Sequence, residues 1–394
     1  MELFIQSLYA TYLLLIVFVP AILGYYFWKT WVKYVRLKFH LKQEYILLEF
    51  KLPKEITKSP VAMEVFMNSL SQTSGEATWF DRYWGGGMRA WFSLELVSIE
   101  GQVKFFIWTR NTMKKTIENH LYSQYPNVEI AEVDDYTEGV EFDPEERNLW
   151  GCYFVKVKDS FFPIKTYVDY GLDRDPKEEF KIDPLTPVLE YLGSIGPGEQ
   201  IWIQILIRAH KAELPKPGTW FGKVDWKHFA KEEIKKMMKR DKGAGETSDK
   251  LTKGERSVIE AIEDNISKVA FDTGIRALYI ADKEHYNKSN QAGIPGSMRQ
   301  YGSTNLNAFR PDKTTSFDFP WQDFMDYRLN NKKRQLINLY KKRGFFRPLY
   351  SKTHFILSAE ELATIYHFPG QVSRTPTVSR INSKKADAPS NLPV

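Results

Sequence analysis

Residues 88–133 read MRAWFSLELVSIEGQVKFFIWTRNTMKKTIENHLYSQYPNVEIAEV, and this stretch decides the fold. Met88–Ile99 and Gln102–Thr109 are dense in aromatic and β-branched residues and read as two strands. Glu100–Gly101 between them is a tight hairpin turn. Asn111 then caps a helix over Asn111–Tyr125, with Met113, Ile117, Leu121 and Tyr125 on one face. Pro126 stops it, and Val128–Val133 is a short final strand. Upstream, Lys42–Pro53 reads as a strand and Ser59–Leu70 as a helix with Pro60 at its first position. The order β-α-β-β-α-β predicts a split βαβ unit, a four-stranded antiparallel sheet carrying two helices.

A second round follows. Tyr153–Val157 and Lys165–Tyr170 read as strands, Pro184–Ile195 as a helix, Glu199–Ala209 and Val269–Ala281 as strands, and Lys283–Tyr301 as a helix. Two helices, Val224–Lys242 and Thr252–Ile266, flank the hinge Gly243–Asp249 and interrupt this round. The N-terminus adds Leu8–Trp28, without a charge and bordered by Tyr25, Tyr26, Trp28 and Trp31. Such a run, centred on Leu13, Leu14, Leu15, Ile16, Val17 and Phe18, predicts a transmembrane helix. Lys29, Lys33, Arg36, Lys38 and Lys42 follow it, which predicts a single pass through the inner (cytoplasmic) membrane, N-terminus outside and body in the cytoplasm.

The expected fold class is therefore α+β: an N-terminal transmembrane helix followed by tandem ferredoxin-like (βαββαβ) domains with a helical insertion. The expected division is anchor and basic juxtamembrane segment 1–42, first domain 43–140, second domain 148–320 with insertion 224–266, basic helical region 321–368 and extended linker 369–394.

Composition narrows function. The 394 residues are 43% hydrophobic and 26% charged, which excludes wholesale disorder, collagen and coiled coil. One cysteine, Cys152, excludes an internal disulfide framework and cysteine-rich metal sites. The net charge of +6 is mildly basic and compatible with nucleic acid or anionic lipid. Phosphate-loop, H-E-x-x-H, C-x-x-C and G-x-S-x-G patterns are all missing, and the seven histidines have no ligand spacing. No catalytic residue, metal site or cofactor is expected.

The basic content gathers late. Arg328, Lys332, Lys333, Arg334, Lys341, Lys342, Arg343, Arg347 and Lys352 occur with no acidic residue between them, interleaved with Leu336, Tyr340, Phe345 and Phe346. Basic side chains neutralise phosphates and aromatics stack on bases, so Arg328, Lys332, Lys333, Arg334, Lys341, Lys342 and Arg343 are candidates for contact with DNA or a motor. The same pattern also describes a solvated helix face or a helix at an anionic lipid surface.

Ser358–Phe368 is a helix with a capping signature, Ser358 and Glu361. The stretch from Glu361 on, with Glu361-Leu362-Ala363, His367-Phe368-Pro369-Gly370, Thr375-Pro376 and Lys384-Lys385-Ala386, resembles a segment of type IV secretion (conjugative) coupling ATPases, the VirD-type, TraG/HerA-like proteins of candidate-phyla bacteria. The motif residues are Glu361, Leu362, His367, Phe368, Pro369, Gly370, Thr375 and Pro376. In that family a hexameric P-loop domain follows. This chain contains no phosphate loop, so the resemblance implies a non-enzymatic module of a conjugative DNA-transfer machine. Its expected partners are the membrane, a P-loop ATPase supplied in cis on a longer chain or in trans, DNA, and further copies of itself. The alternative reading is a membrane-associated structural or interaction protein with no nucleic-acid role.

Overall fold

The computed structural model describes residues 1–53, 56, 58–76, 78–174, 182–212, 214–215, 219, 222–240, 251–317, 319, 321, 323–346, 353–370 and 380–381. A long helix, α1 (Glu2–Leu41), comes first. The first half of the body is β1 (Tyr45–Pro53), α2 (Pro60–Ser69), α3 (Trp79–Tyr83), β2 (Trp91–Ile99), β3 (Gln102–Arg110), α4 (Lys114–Gln124) and β4 (Glu129–Val133). The second half is β5 (Arg147–Lys156), α5 (Thr186–Gly193), β6 (Glu199–Ala209), the small pair β7 (Leu214–Pro215) and β8 (Lys223–Val224), α6 (Trp226–Arg240), α7 (Lys253–Ser267), β9 (Ala270–Asp282), α8 (Lys288–Gly296) and β10 (Phe309–Asp312). The chain then adds α9 (Tyr327–Lys341), β11 (Phe355–Ser358), α10 (Ala359–Ile365) and β12 (Arg380–Ile381).

Ten of these strands make one sheet in the order β10-β5-β9-β6-β2-β3-β1-β12, with β4 also on β1 and β11 also on β9. All its pairings are antiparallel except β1 with β12. The seam is β2 against β6, paired from Trp91↔Arg208 to Ile99↔Gln200. Each of these strands would be an open edge alone, and pairing them covers both. This corrects the expected fold class: the two rounds of strands form one continuous sheet, not separate tandem domains.

The hairpin turn has φ +52 at Glu100 and +84 at Gly101, the left-handed geometry of a two-residue connection. Lys165–Tyr170, read as a strand, is a run of turns in which the Asp169 carboxylate accepts from the Thr166 N–H at 2.8 Å. Strand β5 supplies the pairing instead.

The N-terminal transmembrane helix is also corrected. Among the described residues no helix is long and apolar enough to cross a membrane. That finding overturns the single-pass, inner-membrane placement as well. Among the described positions, the apolar Leu15, Ile16, Phe18 and Val19 are flanked by the hydroxyl-bearing Tyr9, Tyr12, Tyr25 and Tyr26, and the helix becomes charged from Lys29. The side chains of Leu13, Leu14 and Val17 lie outside the described residues. The second half of α1 docks on the body. Trp31 donates to the Tyr83 carbonyl at 3.2 Å, and His40 stacks on Trp91 at 5.2 Å. A Cβ on Gly86, at φ +68, would come within 2.2 Å of the Val35 carbonyl oxygen, so glycine is required where the loop meets the helix.

Both faces of the sheet are covered, which is why β2 and β6 are buried along nearly their whole length. On the first face Phe92, Leu94, Ile203 and Ile205 pack under α2, α4, α5, α8 and α10. On the second face Trp91, Trp202, Leu206 and Leu278 pack under α9 and Phe345. Helices α6 and α7 close a third cluster around Phe161 and Ile356.

The second face also carries a buried polar row. Glu95, Gln204, Arg276 and Tyr153 sit side by side on β2, β6, β9 and β5. Gln204 donates to Glu95 at 2.7 Å and accepts from Arg276 at 2.6 Å. The Glu95 carboxylate also accepts from Ser93, Tyr136 and both Nε and Nη2 of Arg343. Arg343 pairs in addition with Asp135. Replacing Arg343 with Met leaves the buried Glu95 charge without its cation. We expect a loss of about 3–5 kcal/mol, against less than about 0.5 kcal/mol for exposed Arg328→Met, as read by urea unfolding midpoints.

Candidate functional site

The basic stretch divides by helix face. Along α9, Lys333, Leu336, Ile337 and Tyr340 point inward. Lys333 is 9% exposed and donates to Asn148 Oδ1 at 2.7 Å, and burial pulls its pKa below the usual lysine value against the nearby Asp326. Arg343 is 1% exposed and sits at φ +44, the left-handed position just past the helix that glycine usually fills. It tolerates that backbone because its guanidinium is fixed on Glu95 and Asp135. These two candidates are structural.

Arg328, Lys332, Arg334 and Lys342 are exposed, and Lys341 is half-buried. Lys332 lies 3.8 Å from the Phe317 ring centroid and Arg328 5.4 Å from it, so one ring holds two cations in place. The Asp323 carboxylate accepts from the N–H groups of Arg328 and Leu329, fixing the first turn. The helix thus presents cationic side chains from a rigid base. Arg347 and Lys352 lie outside the described residues.

The motif residues fall in the core. Ser358 and Glu361 form the capping box of α10. Glu361 is also the partner of buried Lys156 at 2.7 Å and accepts from the Ile164 N–H. Lys156 donates to the carbonyls of Ser160, Phe162 and Ile356. Leu362 is fully buried, and Phe368 packs edge-on against Phe50, Phe105 and Tyr125. Pro369 is buried and Gly370 half-buried; Thr375 and Pro376 lie outside the described residues.

His367 is buried, held by the Ala363 carbonyl at Nδ1 and by Asp183 at 3.0 Å from Nε2. Burial works against its protonation, but the Asp183 carboxylate and the hydrogen bonds outweigh it and raise the pKa above the ordinary histidine value. Stabilisation from this pair is complete below about pH 6.5, the unfolded value, and is lost as the pH climbs through the raised folded value. Wild-type stability should therefore decline from pH 6 to 9 relative to His367→Gln, as read by thermal melts across that range. Parallel profiles would exclude the assignment.

One cluster escaped the sequence reading. Two of the scattered histidines, His210 and His354, come together around Asp272, with Arg208 and Arg89. Strand register brings them together, and no local sequence pattern reports it. Arg208 pairs with Asp272 across β6 and β9, and Ile356 with Asp272 across β11, so alternation brings His210 and His354 to the same face. Asp272 accepts from Arg208 at 2.7 and 3.2 Å and bonds His210 Nδ1 at 2.6 Å. Burial would raise its pKa, yet the His210 bond and the charges of Arg208 and His354 hold it at about 2. Burial lowers the His354 pKa, with Asp272 opposing. A cavity of about 500 Å³ opens beside this cluster.

Among the described residues no group of three or more histidine, cysteine, aspartate or glutamate side chains has an arrangement that could hold a metal ion. No curated protein matches the chain. Residues 41–381 match the family model described as Domain of unknown function (DUF8128), and the chain belongs to that family.

Proposed function

We propose that this chain is a non-enzymatic module of a conjugative DNA-transfer machine that docks to, or belongs to, a hexameric DNA-translocating ATPase. The observation that carries the reading is the outer face of α9. Arg328, Lys332, Arg334 and Lys342 project from a helix without an acidic residue, while Lys333 and Arg343 lock the same helix to the sheet. A cationic face on a rigid support suits a phosphate backbone, because each neutralised phosphate releases a counterion. The resemblance of the segment around Glu361–Gly370 to coupling ATPases supports the same direction.

A second reading, an interaction module with no nucleic-acid role, rests on the segment before α9. Trp321, Phe324 and Met325, close in sequence, are 79%, 81% and 83% exposed, apolar side chains suited to a protein partner.

The test is fluorescence anisotropy of a labelled DNA duplex across a salt series. Lys332→Glu with Arg334→Glu should weaken binding and reduce the slope of log Kd against log salt by about two, roughly 0.9 per lost phosphate contact. An unchanged slope, or binding insensitive to salt, would sink the DNA reading and leave the interaction module.

A further inference from the structure

Where α3 meets α1, five aromatic rings gather at the surface. Trp28 of α1 stacks on Trp79 at 6.3 Å and lies 5.6 Å from Tyr83 and 5.7 Å from Trp84. Trp79 and Trp84 are 5.0 Å apart, and Phe80 stacks on Trp84 at 6.5 Å. These rings pack on one another and stay open to solvent. Trp79 and Phe80 are 60% and 64% exposed, and α3 has no buried residue. The sheet gains nothing from such a helix, and contiguous exposed apolar surface of this kind marks an interaction site.

The backbone holds the patch in place. Thr78 and Asp81 form the capping box of α3, Trp31 donates to the Tyr83 carbonyl at 3.2 Å, and the Gly87 N–H donates to the Asp81 carbonyl at 2.7 Å. The charge around it is one-sided. Lys29 and Lys33 are exposed, lie within about 8 Å of Trp28 along the helix axis, and form no ion pair among the described residues. Lys29 sits 5.7 Å from the Tyr25 ring centroid. No acidic residue occurs between Glu2 and Glu44. On the α3 side, Asp81 is engaged in the capping box, and Glu76 is buried against Arg82 and Arg89. Exposed tryptophans beside unpaired lysines combine the two features that favour a lipid headgroup layer: rings with an apolar body and a polar N–H, and cations for the phosphates. A second copy docked symmetrically on the same patch would instead bring Lys29 and Lys33 towards their own counterparts.

We propose that this patch docks the protein on the surface of an anionic phospholipid membrane. The rings of Trp79, Phe80 and Trp84 enter the headgroup layer, and Lys29 and Lys33 pair with its phosphates. The contact is made with one face of the bilayer by side chains of α3 and the second half of α1, and it requires no helix to cross. It uses no residue of α9, so it stands or falls independently of DNA binding there.

Co-sedimentation of the full chain with vesicles of phosphatidylglycerol and phosphatidylcholine, against vesicles of phosphatidylcholine alone, tests the proposal. Partitioning should be at least about tenfold stronger on the anionic vesicles and should fall as salt rises. Lys29→Gln with Lys33→Gln should weaken it at least about tenfold, since each lysine at an anionic lipid surface is worth a factor of about five. Trp79→Ser with Phe80→Ser, which leaves α1 intact, should weaken it by at least about tenfold as well. Both pairs replace exposed side chains, and should the α3 pair fail to fold, the lysine pair carries the test. The proposal is overturned if the chain ignores vesicles, if it binds neutral and anionic vesicles equally, or if folded variants bind like wild type. It is also overturned if sedimentation without lipid shows a dimer that Trp79→Ser with Phe80→Ser dissociates, which would give the patch to a second copy.

Discussion

The structure depends on one buried carboxylate. Glu95 stands at the middle of β2 with no exposed surface, facing Gln204 across the seam between the two halves. A charge in that position is tolerable only if it is paired and fully hydrogen-bonded. Ser93, Gln204, Tyr136 and Arg343 meet the requirement, and the last three each draw in another part of the chain. Gln204 brings β6, Tyr136 brings the segment after β4, and Arg343 brings the end of α9. An apolar residue at this position would allow β2 and β6 to slide without an electrostatic penalty. The glutamate fixes register, because a one-residue slip would move it to the opposite, apolar face.

The same constraint explains the second face. A four-stranded sheet with helices on one side commonly leaves the other side to solvent. Here α9 and Phe345 cover that side, and Gly274 on β9 makes room: a Cβ there would meet the Phe345 ring at 2.2 Å. The covering is divided. Helix α9 and its following turn protect the centre, while α6 and α7 protect the end near Asp272. The cavity lies where α6 meets the polar wall around Asp272.

Local elements were largely legible in the sequence, and long-range ones were not. The turn at Glu100–Gly101, the helix after Asn111 and the capping box at Ser358 are each set by neighbours within a few residues. The β2–β6 seam joins residues about a hundred positions apart, and no periodicity reports it. Charge counting likewise treated Lys332 and Lys333 as equals. Helical spacing separates them, because Lys333 shares the face of Leu336, Ile337 and Tyr340. Glu361 is similar: its role in the cap is local, but its pairing with Lys156 spans about two hundred residues. The N-terminal run reads as a span from its composition, yet among the described residues no helix is long and apolar enough to cross a membrane.

The central claim is that the two halves form one cooperative sheet locked at Glu95. Native-state hydrogen exchange on β2 and β6 tests it most directly. If the claim holds, amides of Leu94–Val97 and Ile203–Leu206 open together, with one common free energy near that of global unfolding. If β6 exchanges through its own lower-energy opening while β2 stays protected, the halves are separate units that touch, and the account is contradicted.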